Sequence, residues 1–199
     1  MNSDEYKTIE SPSEGQFKEK GSKFLAFAFP VSTEEEMELR RAEIRKKYHD
    51  ARHHVYAFRI GADLDFFRAS DDGEPSNSSG PPVLGQIKSF ELTDIVIIVV
   101  RYFGGTKLGV PGLINAYKTA AYEALSQAKI ITCTVTNEIV LKFDYQYIND
   151  VMRIIKEENI NPKEQKFEMS CQIVLEVALS ETERIRERFK KLYEIEVSD

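Results

Sequence analysis

The run IVIIVVRYFGGTKLGVPG, residues 95–112, decides how this chain folds. Its first six residues, Ile95 to Val100, are all β-branched and apolar. Such side chains fit a pleated surface, and a run without polar alternation predicts a strand covered on both faces. At Arg101-Tyr102-Phe103-Gly104-Gly105 the chemistry changes sharply. Paired glycines let the backbone take positive φ or approach another surface closely. Gly109 and Gly112 bracket Pro111, which suits the first position of a helix because its missing N–H has no partner to lose there. From Leu113 the apolar positions Tyr117, Ala120, Ala121, Ala124 and Ala128 follow helical spacing. Strand, glycine loop and helix together set free backbone N–H groups and Lys107 at a helix N-terminus, which is the makeup of an anion site. The loop lacks the Gly-Lys-Ser/Thr ending of a Walker loop and the spacing of GxGxxG. A tight turn required for close strand–helix packing is the competing reading of the same glycines.

Outward from that run, 199 residues suffice for one large domain or two small ones. A 42% hydrophobic and 30% charged composition is ordinary for a soluble globular protein. A net charge of −6 argues against a protein that coats nucleic acid, while leaving room for a local basic patch. Cys133 and Cys171 stand alone, so no disulfide framework, zinc site or other metal or cofactor is expected. MNSDEYKTIE carries no signal pattern, and no apolar run reaches membrane-spanning length. The expected setting is the cytoplasm, away from membranes.

In chain order, residues 1–20 read as a loose polar arm. Residues 23–32 read as a strand stopped by Pro30. Thr33 with Glu36 is a capping box for a helix over 34–48, with Met37, Ile44 and Tyr48 on one face and its many basic residues on a solvated one. Residues 54–61 form a strand, 62–65 a turn including Asp63, and 66–69 the returning strand of a hairpin. The stretch from Ser70 to Pro82, without an apolar side chain apart from proline, is longer and more polar than a plain connection. Val83 to Phe90 read as a short helix.

Beyond Ile130 the elements are a strand over 138–143, a helix over 148–158, strands over 166–169 and 171–179, a helix opened by a Ser180–Glu183 capping box and running to Tyr193, and a last strand over 194–197. The order βαββαβ is the split-βαβ or ferredoxin-like arrangement. The chain is therefore read as α+β with two domains, residues 1–131 and 132–199. The first carries 17 basic against 19 acidic side chains and the second 10 against 14, so the first better suits a polyanion.

Three motifs stand in order: Asp50-Ala51-Arg52-His53-His54, Asp71-Asp72-Gly73-Glu74-Pro75-Ser76 and Arg101-Tyr102-Phe103-Gly104-Gly105-Thr106-Lys107-Leu108-Gly109. Together they resemble the signatures of the Impact/YigZ family over roughly residues 17–131, and the remainder resembles the smaller C-terminal domain of its bacterial members. Pro111 stands where the family usually has glycine, Asn77-Ser78-Ser79 where Gly-Thr-Ala is frequent, and Val55 where cysteine is common. The resemblance implies a first domain like the second domain of small-subunit ribosomal protein five and domain IV of elongation factor G. It implies a second domain like the ferredoxin-like domains of that factor, and a link to RNA, the ribosome and translational control.

Two functions follow as expectations. In the first, Arg52, Arg68, Arg101 and Lys107, with Gly104, Gly105 and Gly109, contact RNA phosphates or a ribosomal surface, and Tyr102 or Phe103 stacks on bases. Arg101 pairing with Asp71 or Asp72 is the competing role. In the second, His53, His54, Asp71, Asp72, Glu74 and Ser76 serve an enzyme acting on a phosphorylated or acyl substrate. No nucleophile elbow is present, and Asp-Asp-Gly-Glu is also turn chemistry. A protein partner is a third class, and no oligomeric state is implied.

Overall fold

The computed structural model describes residues 4–62 and 64–198; the expected turn residue Asp63 and residues 1–3 of the expected arm lie outside them. Backbone proximity divides the described residues into residues 6–133 and a second unit of residues 134–198 with residues 4 and 5.

The first unit contains β1 (Glu5–Ile9), β2 (Ser13–Glu19), β3 (Ser22–Pro30), α1 (Glu34–Lys47), β4 (His53–Ile60), β5 (Phe66–Ser70), α2 (Gly80–Ser89), β6 (Ile95–Tyr102), α3 (Gly109–Gln127) and β7 (Ile130–Thr134). Its main sheet is antiparallel throughout, in the order β2-β3-β6-β4-β5, while β1 and β7 pair separately. Successive side chains of a strand face opposite ways. Ile95, Ile97 and Val99 of β6 accordingly meet α2 and α3, whereas Val96, Ile98 and Val100 meet α1. Covering on both faces explains the unbroken apolar run.

The expected loose arm is largely strand. β2 alternates half-buried and exposed residues, which lowers its hydrophobicity to that of a loop and suits a sheet edge. Gly15 is required there: a Cβ would lie 2.2 Å from the Ala124 nitrogen of α3. At α1, Thr33 Oγ1 accepts from the Glu36 N–H at 3.2 Å, and the Glu36 carboxylate accepts from the Ser32 N–H at 2.7 Å. The reciprocal arm of the capping box thus reaches one residue further back than expected. Both helices flanking the central strand start early: α2 takes Pro81-Pro82 into its first turn, and α3 opens at Gly109 rather than Pro111.

The second unit contains β8 (Thr136–Asp144), α4 (Ile148–Glu157), β9 (Pro162–Lys166), β10 (Ser170–Ala178), α5 (Thr182–Lys190) and β11 (Glu196–Ser198). Its sheet is antiparallel in the order β11-β8-β10-β9. Leu141, Ile173 and Leu175 pack with Val151 and Ile155 of α4 and Phe189 of α5. The strand expected over 166–169 is displaced: Lys166 ends β9, and residues 167–169 form the turn into β10. The Ser180–Glu183 box does not form. Ser180 lies in a 3₁₀ turn, its N–H donates to the Asp4 carboxylate at 2.9 Å, and α5 starts at Thr182 and stops at Lys190.

Candidate functional site

Strand alternation carries the α2/α3 face one step beyond Val99 to Arg101. Across the ladders Arg101 stands opposite His53 of β4 on one side and Phe24 of β3 on the other. These side chains end the sheet beside a cleft of about 880 Å³. One wall is Asp50 to His53, entering β4, and the other is Phe103 with Lys107 to Val110, entering α3.

Arg101 and Glu74 also line the cleft, yet are only 7% and 9% exposed. Their ion pair measures 2.6 Å, and the Tyr117 hydroxyl donates to the same Oε1 at 2.7 Å. Burial, then the Glu74 charge, push the Tyr117 phenol far above its ordinary value. The Arg101 guanidinium lies 5.5 Å from the Phe24 ring and 5.8 Å from that of Phe103. Its buried Nε has no hydrogen-bond partner. Arg101 is thus held by Glu74, and not by Asp71 or Asp72. The expected phosphate contact at this position is a buried guanidinium paired with Glu74.

The acidic loop is a scaffold for that pair. Asp71 Oδ1 accepts from the Ser79 hydroxyl at 2.7 Å and from the N–H groups of Ser79 and Gly80 at 3.0 and 2.9 Å, while Oδ2 accepts from the Asn77 N–H at 2.8 Å. Burial raises its pKa, but these donors outweigh that effect and hold it below the usual range. A carboxylate eight residues upstream therefore caps the start of α2. Asp72 pairs with Arg45 at 3.0 Å and accepts from the His54 N–H at 2.6 Å. Asp72 at φ +43 and Gly73 at φ +84 turn the backbone so that Glu74 reaches Arg101. Pro75 lines the cleft, and Ser76 is exposed.

The proposed acid–base cluster is dispersed by the same parity. His54 is buried on the α1 side, with Nε2 3.0 Å from the Tyr48 carbonyl. His53 faces the cleft, and its Nδ1 lies 2.9 Å from the Asp72 carbonyl. A carbonyl only accepts, so Nδ1 carries hydrogen. Asp71, Asp72 and Glu74 are committed to the contacts above. Among the described residues, no group of three His, Cys, Asp or Glu side chains is arranged to hold a metal ion.

The expected anion contacts separate into two groups. Arg52, Lys107 and Gly109 line the cleft, and neither Arg52 nor Lys107 forms an ion pair among the described residues. The first turn of α3 has no acidic residue and no side-chain cap. Its Gly109 and Val110 N–H groups therefore lack helical partners, and Pro111 supplies none. Arg68 instead pairs with Glu34 at 3.1 Å from edge strand β5 and does not line the cleft. Gly104 serves packing: its N–H donates to Ser22 Oγ at 3.1 Å, and an added Cβ would lie 1.9 Å from the Gly21 carbonyl carbon. Gly105 has φ +87 and open space around it.

Tyr102 and Phe103 differ. The Tyr102 hydroxyl donates to Asp50 at 2.7 Å, which with burial pushes its pKa up to about 12, while Phe103 is 56% exposed. Sequence reasoning missed Asp50 and Tyr117 as partners. Tyr117 sits on the predicted apolar helix face, and its hydroxyl was the signal that it needed a buried acceptor.

The fold is mixed α/β, and this basic cleft at the sheet end belongs to a recognisable class of domain. The Impact N-terminal domain profile matches residues 20–125. The chain is 30% identical to the IMPACT family member YvyE of Bacillus subtilis, over 94% of this chain and 86% of that protein. It is 37% identical to an IMPACT family member of Thermus thermophilus, over 72% and 76%. The chain belongs to the IMPACT family. In fold it is similar to a crystallised hypothetical protein, with a TM-score of 0.75 and 23% identity, covering 98% of this chain and 96% of the other. A partial likeness, TM-score 0.41 and 26% identity over 61% of this chain and 48% of the other, is to the two-domain translational regulator Yih1.

Proposed function

We propose that this protein acts in translational control as a binding protein whose first unit contacts RNA or a ribosomal surface through the cleft. The observation that carries the reading is the convergence of unpaired Arg52 and Lys107 with the uncapped start of α3. Donors and a helix dipole aimed at one place favour an anion, and phosphate is the anion RNA presents repeatedly. Exposed Phe103 beside them supplies a surface on which a base can stack. The translational setting rests on the likeness to the Impact family. In this reading the first unit is of the elongation factor G domain IV kind, and the second is ferredoxin-like, which its βαββαβ order and β11-β8-β10-β9 sheet support. An enzymatic reading retains His53 and Glu74 of its proposed acid–base cluster in the cleft, and Glu74 is already engaged by Arg101 and Tyr117. Co-sedimentation with ribosomes and filter binding to single-stranded RNA, across a salt series, test the proposal. Binding that weakens steeply with salt is expected, whereas no association at low salt contradicts it.

A further inference from the structure

Resting on the reading of the cleft as an anion site, we infer that its ligand is one nucleoside monophosphate unit, with the phosphate at Lys107, Arg52 and the start of α3 and the base against Phe103. Two features of the cleft point there beyond the helix start itself. Arg101 lines it while more than nine-tenths buried, and its Nε has no partner. A buried, unfilled donor on a guanidinium is costly unless a ligand or a small rearrangement satisfies it. The remaining lining divides by chemistry: Phe103, Leu108, Val110 and Leu113 are apolar, whereas Arg52 and Lys107 are free cations.

Charge and size restrict the ligand. Arg52, Arg101 and Lys107 face Asp50 and Glu74, so the lining ionic groups leave one net positive charge, which suits one phosphate better than a polyphosphate. The hydrogen bond from Tyr102 keeps Asp50 ionised by lowering its pKa, which sets that side of the cleft against further negative charge. A volume of about 880 Å³ falls in the range of small-ligand sites, and one nucleotide fits it where a duplex does not. Phe103, more than half exposed, provides the flat face on which a base stacks regardless of its identity.

Titration calorimetry of the full chain with adenosine 5′-monophosphate, adenosine and inorganic phosphate tests this. The monophosphate is expected to bind about tenfold or more tighter than either part. Phe103→Ala removes its advantage over phosphate, and Lys107→Ala removes its advantage over adenosine. Phosphate binding as tightly as the nucleotide overturns the inference, as does nucleotide affinity unchanged by Phe103→Ala in a folded variant. Short single-stranded RNA with a 5′-phosphate or a 5′-hydroxyl distinguishes the two sources. Tighter binding of the phosphorylated end assigns an RNA terminus, and nucleotide binding without RNA binding assigns a free nucleotide and defeats the RNA reading alone. RNA bound with normal salt dependence but no response to the monophosphate defeats the present inference alone.

Discussion

Glu74 shows how one residue sets the site. Its Oε1 takes both the Arg101 ion pair and the Tyr117 hydroxyl, and both partners are buried. Glu74→Ala strands a guanidinium in the interior and is expected to cost about 3–5 kcal/mol in urea melts. A variant as stable as the parent contradicts the buried-pair account. At Asp71 the prediction concerns pH. Its pKa is lowered in the fold, so its ionised form contributes stability above its unfolded pKa that is lost as pH falls through the folded value. Asp71→Asn should therefore be less stable than the parent at pH 7, and the gap should close on acidification below 3.8. A gap independent of pH removes the charged cap. From the sequence, an acidic partner for Arg101 was legible, but its identity was not, because it depends on positive φ at Asp72 and Gly73, which no periodicity reports. The division between His53 and His54 follows from strand parity counted back from the buried run.

At the scale of elements, the central strand was the clearest feature because six β-branched residues leave little alternative to burial. Ile97→Asp puts an unpaired charge between β6 and α3 and is expected to cost several kcal/mol, while Lys46→Asp on the exposed face of α1 should be nearly silent. Equal urea midpoints for the two contradict the assignment. The glycine loop gives a second contrast. Gly104→Ala collides with the Gly21 backbone, whereas Gly105→Ala meets open space and bears mainly the strain of positive φ, about 1 kcal/mol. Gly104→Ala should lower the thermal midpoint much further; the reverse order removes the packing role. The elements that escaped notice were β1, β2 and β7, and β9 was displaced. Each lies at a sheet edge or in a two-stranded pair, so neighbours rather than apolar patterning define them.

For the whole molecule, the pairing of β1 with β7 bears on where the chain can be divided. A fragment ending at Ile131 keeps the five-stranded sheet and its three helices but cuts β7, which runs to Thr134. We expect residues 1–131 to fold cooperatively by themselves, and residues 1–135 to melt at a higher temperature. A short fragment that shows no cooperative transition makes the chain one inseparable unit. The broad architecture was legible because the change from helical spacing to the βαββαβ series is local. The cleft was not, because it needs β3, β4, β6, α3 and the acidic loop at one sheet end. The measurement that tests the central claim most directly is the salt dependence of single-stranded RNA binding by the parent and by Lys107→Ala. Loss of one phosphate contact should weaken binding about equally across sequences and reduce the log–log salt slope by about 0.7 to 1. An unchanged slope in a Lys107→Ala protein that melts like the parent contradicts the anion site and leaves the glycine loop as a packing device.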